Sequence, residues 1–369
     1  MDRFFPLGFP GPTAFYLAIY VGTLIIHVVF MNYVLAGIGY LAVSSIARGK
    51  KLETPGAMSA RSILTDWMTF ATSAAITAGV APLLFVQILY KKNFYTANLL
   101  LFHRWMAILP VLIVGFYLLY LLKTKWIARQ STLALATISM GALACFAFTG
   151  LSWTENHLLS TDTGSWPGLY ESGSMVYSHP QLLPRLGLWA VGAIPTMCLL
   201  VGWQLCVAQR RGQVIAVSQT RMLSRLAIWG MILSGTCGWL YWLRMNEHAR
   251  QAITGPLARP FLICAIIGLA IQIVGWVDQG RQQMFCRRSL WAITLGVALT
   301  VTCMSVVREA IRLAATDLEP LYPQHAEAAG KGGMIVFFVF LIANAILIAW
   351  CLRLVSPRGN RAHSTSGPA

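Results

Sequence analysis

Charge is what this sequence lacks most. Of 369 residues only 11% are Asp, Glu, Lys or Arg, while 57% are hydrophobic and the mean hydropathy is +0.64. A soluble domain carries about 25% charged and about 45–50% apolar residues, so no water-soluble fold of this length hides such an excess. Acidic residues are the scarcer sign, with 12 Asp+Glu against 28 Lys+Arg and a formal net charge of +16. No basic run exceeds two residues, which argues against a nucleic-acid-binding arm, so no nucleic-acid partner is expected. Neither C-x-x-C nor C-x-x-C-H occurs among the eight cysteines, excluding a zinc ribbon and covalently attached haem c as sequence motifs. All but Cys286 lie in apolar stretches and read as small core-facing residues. A P-loop, an HExxH pair and a nucleophile elbow are also missing, leaving an ATPase, protease or lipase nothing to stand on. Without internal symmetry or a chain of buried carboxylates, a pump is unsupported and a small-molecule transporter is a weak alternative.

What is present is apolar sequence in long runs. A spanning helix needs about 20 mostly apolar residues, and nine segments qualify: 15–46, 67–90, 105–122, 131–153, 183–207, 222–243, 260–277, 289–307 and 332–352. The first is not a signal peptide, because Met1–Pro12 has no basic n-region and the apolar run is too long. The expected fold is an all-α polytopic membrane bundle of about nine transmembrane helices within residues 1–355. A polar, disordered tail is expected over 356–369.

The basic residues orient it. With the N-terminus outside, seventeen of the 28 Lys and Arg fall in inner segments, from Arg48, Lys50 and Lys51 to Arg358 and Arg361. Only Glu53, Asp66 and Asp278 join them, so the net charge divides into +14 inside and +2 outside. By the positive-inside rule the N-terminus is outside and the C-terminus is in the cytoplasm. The connection 154–182 then lies outside with Glu155, His157, Asp162, Glu171 and His179; its irregular spacing favours a solvated cap over a metal site. A second outer connection, 308–331, is also polar.

Rare polar residues inside apolar spans are the default functional candidates. His27, in IIHVVFMNYVLAGIGYL, reads either as a haem iron ligand or as a histidine hydrogen-bonded to a neighbouring helix. It is the one buried titratable ring that the low charge leaves within the spans. His103 and His248 read as solvated residues at helix ends, and Asn32 does not share a face with His27. Gln87 can serve a haem propionate or quinone carbonyl, or bond across a helix interface. Arg308 and Arg312 share a face with Glu309 positioned to pair with Arg312. They read as holders of haem propionates or another anion, or as an interfacial ion pair that ends the helix.

HVVFMNYVLAG around His27 resembles the first-helix haem-ligand stretch of subunit I of cytochrome bd-type quinol oxidases. GVAPLLFVQILYKKNFYTANLL and VVREAIRLA resemble bd-like bacterial membrane proteins associated with multihaem cytochromes c. The resemblance covers about a third of the chain. The pattern departs where Gln87 stands in place of a glutamate and where LLPRLGLWAVGA has no histidine. It departs again where about fifteen residues, Arg244 to Arg259, replace the quinol-binding loop. The resemblance implies a b-type-cytochrome-like electron-transfer subunit, part of a quinol-linked oxidoreductase, in a bacterial inner membrane. It would hold a reduced haem set with haem b on His27 and pass electrons between quinone and a partner such as cytochrome c or another respiratory-complex subunit. A cofactor-free scaffold or anchor subunit of such a complex is the alternative.

Overall fold

The computed structural model describes residues 3–4, 8–48, 57–124, 127, 132–331 and 333–355. The expected tail 356–369 lies outside the described residues, as do Lys50, Lys51, Glu53, Lys125, Arg129, Arg358 and Arg361 of the topology count. The described residues form thirteen α-helices and a two-residue antiparallel ladder, Arg3–Phe4 with Phe9–Pro10. The helices are α1 (Gly11–Arg48), α2 (Ala60–Leu89), α3 (Lys91–Leu100), α4 (Phe102–Lys123), α5 (Thr132–Thr161) and α6 (Trp166–Ser172). They continue with α7 (Leu182–Arg210), α8 (Ser218–Leu243), α9 (Glu247–Thr254), α10 (Arg259–Arg281), α11 (Arg287–Ala314), α12 (Tyr322–Gly330) and α13 (Gly333–Val355).

The protein is an all-α, multi-pass membrane protein. Eight helices, α1, α2, α4, α5, α7, α8, α10 and α11, are long and apolar enough to cross a bilayer. Only helices and closed barrels satisfy every backbone group internally where water is absent. The ninth expected segment is α13; its described part joins the preceding helical stretch in a pair bent by 60°, and counting that pair gives nine.

Local sequence sets several ends. Ser59 and Ser62 form a reciprocal capping box on α2: Ser62 N–H donates to Ser59 Oγ at 3.1 Å, and Ser59 N–H to Ser62 Oγ at 3.0 Å. Asn246 caps α9 by accepting from Ala249 N–H at 2.9 Å. Pro82, Pro110 and Pro195 lie inside α2, α4 and α7, as membrane helices tolerate.

Residues 17–318 form one compact unit. In it α10 packs on α11, α7 on α8 and α4 on α5. Its core includes Ile38, Leu64, Met68, Met197, Leu205, Leu290 and Trp276, while Leu109, Val114 and Tyr117 on α4 and Ile266 and Val274 on α10 are exposed. Large apolar side chains facing outward across whole helices suit a lipid environment rather than water. Three of the cysteines, Cys198, Cys206 and Cys303, are buried as expected, but Cys264 is exposed and so does not face the core.

The second unit gathers the described parts of 1–16 and 319–369. There Thr13 Oγ1 and His325 Nδ1 lie 2.9 Å apart and Phe15 packs on Phe338. His325 is fully buried, so 308–331 is not simply a polar connection: it holds the end of α11 and all of α12.

Candidate functional site

The expected span 131–153 stops too early. The helix α5 runs two turns further, to Thr161, and buries Thr154, Glu155, Asn156 and His157. These polar residues stay helical because neighbours satisfy them. Arg104 of α4 forms an ion pair with Glu155, Asn156 donates to Asn98 at 2.6 Å, and Asn93 donates to the Ser160 carbonyl at 2.9 Å. The expectation of a solvated cap is therefore corrected for 154–161. It is also corrected that His27 is the one buried titratable ring, since His157 and His325 are more deeply buried.

The remainder of that connection is a small hydrogen-bonded assembly. Asp162 accepts from Ser165 Oγ at 2.5 Å and from the Tyr177 hydroxyl at 2.7 Å. His179 stacks on Tyr177, and its Nδ1 accepts from Gln181 N–H at 3.2 Å. No group of three metal-ligating side chains occurs among the described residues. Burial, helped by the Arg185 charge, holds the His179 imidazole below its ordinary pKa against the opposing pull of Asp162. A depressed histidine contributes stability above the ordinary value of about 6.5 and loses it as pH falls from there towards its own lower pKa. Lowering pH from 7 to 5 is therefore expected to lower the amide protection factors at 173–181, with the slower intrinsic exchange at acid pH divided out and Gln181 leading. Protection factors unchanged over that range would show that His179 does not titrate there.

The helix ends bring a charged cluster together at one end of the main unit. Arg308, Glu309 and Arg312 lie in the last two turns of α11, Arg185 in the first turn of α7, and Tyr90 just past α2. Arg312 and Glu309 are each 3% exposed and Arg185 5%. Arg308 Nη1 donates to the Tyr20 hydroxyl at 3.0 Å. The Arg185 and Arg308 guanidinium carbons lie 5.9 and 5.5 Å from the Trp189 ring, and Arg185 is 5.7 Å from Tyr241. Arg312 stacks on Tyr90 at 3.8 Å, a cation–π contact worth about 0.5–2 kcal/mol. The Tyr90 hydroxyl donates to Glu309 Oε1. His157 lies within electrostatic range of all three arginines.

This overturns the i, i+3 ion pair expected of Glu309 and Arg312: Glu309 takes the Tyr90 hydroxyl instead. Both side chains are nonetheless buried, in the last two turns of a helix that ends at Ala314.

His27 sits between α1 and α2. Its Nδ1 is 2.9 Å from the Ala75 carbonyl, which only a protonated Nδ1 can satisfy, so Nε2 carries the lone pair. Nε2 makes no hydrogen bond among the described residues. The ring lies against Gly79, where a Cβ would come within 2.9 Å of Cε1. Arg308 is close enough to act on the ring electrostatically. Asn32 faces elsewhere, donating to Thr196 Oγ1 at 3.3 Å.

Gln87 does not join these residues through a hydrogen bond: its Oε1 accepts from the Tyr95 hydroxyl at 3.4 Å. His103 and His248 are exposed, as expected. A cavity of about 310 Å³ opens at the other end of the unit, lined by Gln209, Gln213, Thr220, Gln283 and Phe285 among others.

Arg185, Tyr90 and Tyr20 escape a reading of the sequence because each looks like an ordinary helix-end or aromatic residue, and His157 is read there only as part of a solvated cap. The available signal is register: laid out as alternating spans, Tyr20, Tyr90, Glu155, Arg185 and Arg308 all fall at one end. No protein-family model matches the chain, and neither a curated protein nor a solved structure does.

Proposed function

We propose that this protein is a membrane-embedded electron-transfer subunit that holds a b-type haem through His27. The observation that carries the reading is the His27 geometry. A backbone carbonyl fixes the ring and its tautomer and leaves Nε2 without a hydrogen bond among the described residues, the arrangement found when histidine ligates a metal through one nitrogen and donates from the other. Gly79 gives the ring its room, and the Arg308 charge lies within electrostatic range of it. The donor set thus fits a haem with anionic side chains.

A haem bound there supplies one-electron redox chemistry. The chain's own part is to hold the imidazole in one orientation, keep Nδ1 protonated against Ala75, and set the local field through Arg308. Quinone, a cytochrome c or other respiratory partner, and a bacterial inner membrane follow from the resemblance of HVVFMNYVLAG and VVREAIRLA to bd-type sequences, and stand or fall with it. The orientation drawn from the basic residues places His27 and the arginine cluster on the outer side.

The test is a reduced-minus-oxidised absorption spectrum of the purified protein. A b-type band is expected in the wild type and is expected to vanish in His27→Ala while the protein remains folded. A folded wild type without the band would remove the haem reading and leave the cofactor-free scaffold.

A further inference from the structure

The charges at the cluster do not balance. Arg185, Arg308 and Arg312 bring three positive charges and Glu309 one negative, while Glu155 is already matched by Arg104. Arg308 Nε and Arg312 Nε are sealed from solvent with no hydrogen-bond partner among the described residues. The Arg185 and Arg312 side chains make no hydrogen bond among the described residues and rest on aromatic faces instead. A guanidinium out of water needs an anion, and its planar fork matches a carboxylate two bonds at a time. Glu309 does not fill that need, since Tyr90 holds its Oε1 and its Oε2 is itself unpartnered.

We propose that Arg185, Arg308 and Arg312 form a buried binding site for a ligand bearing one or two carboxylate groups. The aromatic walls, Trp189, Tyr241 and Tyr90, suit the body of an organic acid better than a bare inorganic ion. The carboxylates have two possible sources, a haem's own side chains or a free organic acid. The site stands on the arginines alone; only the haem source rests on the reading of His27.

The experiment uses the full chain in lipid nanodiscs, with Arg185→Gln, Arg312→Gln and the charge-keeping Arg312→Lys beside the wild type. Haem and its dimethyl ester, then succinate, benzoate and inorganic phosphate, are titrated and read by native mass spectrometry and thermal midpoint. Haem retained by the wild type, with its ester and the Gln variants about tenfold or more weaker, assigns the site to haem carboxylates. Succinate or benzoate stabilising haem-free wild type, with about tenfold weaker binding in Arg312→Gln and partial recovery in Arg312→Lys, assigns it to a free acid. That second result would uphold the site even if His27 holds no haem. Wild type that binds no carboxylate, binds phosphate as well as the organic acids, or binds no better than the Gln variants overturns the proposal. The wild-type titrations decide this even if a variant does not fold.

Discussion

Replacing Gly296 with leucine is expected to abolish the folded protein, and Gly296→Ala to destabilise it by about 2–3 kcal/mol. At this crossing α10 and α11 meet backbone to backbone. A Cβ on Gly296 would lie 2.7 Å from the Gly268 carbonyl oxygen and 3.0 Å from the Gln272 nitrogen, and one on Gly268 would lie 2.8 Å from the Gly296 carbonyl. Rotating a side chain cannot relieve a clash with main chain, so the helices must separate. Separation also strains the bond from Gln272 Nε2 to Thr300 Oγ1, 2.9 Å across the same contact, and the packing of Gly275 on Ile293. Close approach of this kind is how membrane helices associate when burial of apolar surface gives no advantage over lipid, and overpacking typically costs about 1–3 kcal/mol. Thermal unfolding in detergent measures the loss. Gly235→Ala in α8, where nothing lies within 4 Å of the added carbon, is the control and should leave the midpoint nearly unchanged. Equal midpoints for Gly296→Ala and that control would show that the crossing tolerates expansion.

The second large effect is expected at Glu309. Glu309→Ala leaves the buried Arg185 and Arg312 and the half-buried Arg308 without a carboxylate and removes the acceptor of Tyr90, and removing one partner of a buried charged set costs about 3–5 kcal/mol. Glu309→Gln keeps an acceptor for Tyr90 and loses only the charge, so it should fall between the wild type and alanine. Adding Arg312→Gln to Glu309→Gln takes away one unmatched cation. The double variant should then be more stable than the sum of the two single losses implies. A double-mutant cycle on the unfolding midpoints decides it. Strict additivity would mean that Glu309 and Arg312 do not sense each other's charge.

The spans are legible in the sequence because scarcity of charge over twenty residues has one physical meaning in a bilayer. The end of α5 is not legible. Thr154, Glu155, Asn156 and His157 read as the start of a polar loop, yet Arg104 and Asn98, about fifty residues earlier in the chain, keep this stretch helical and buried. Arg308 and Arg312 stand out as candidates for an anion because they share a helix face. Arg185, their third member, looks like an interfacial cation beside a proline until α7 is packed near α11. Polarity counted along a sequence cannot show which polar residues will be partnered in space. His27 is visible as a polar ring in an apolar run, but its Ala75 carbonyl and its room at Gly79 belong to another helix.

Helix length gives the arginine cluster a depth. The helices α5, α7 and α11 contain 30, 29 and 28 residues, or roughly 42–45 Å at 1.5 Å per residue, against about 30 Å of hydrocarbon. A helix of that length standing upright and centred would overshoot the oil by several ångströms at either side, and Glu155, Arg185, Glu309 and Arg312 lie in the terminal two turns. In that placement their dryness is made by protein packing at headgroup level rather than by acyl chains. A thicker bilayer would draw this charged collar down into hydrocarbon, so hydrophobic mismatch acts directly on the arginines. Acyl-chain length thereby becomes a variable of the site itself.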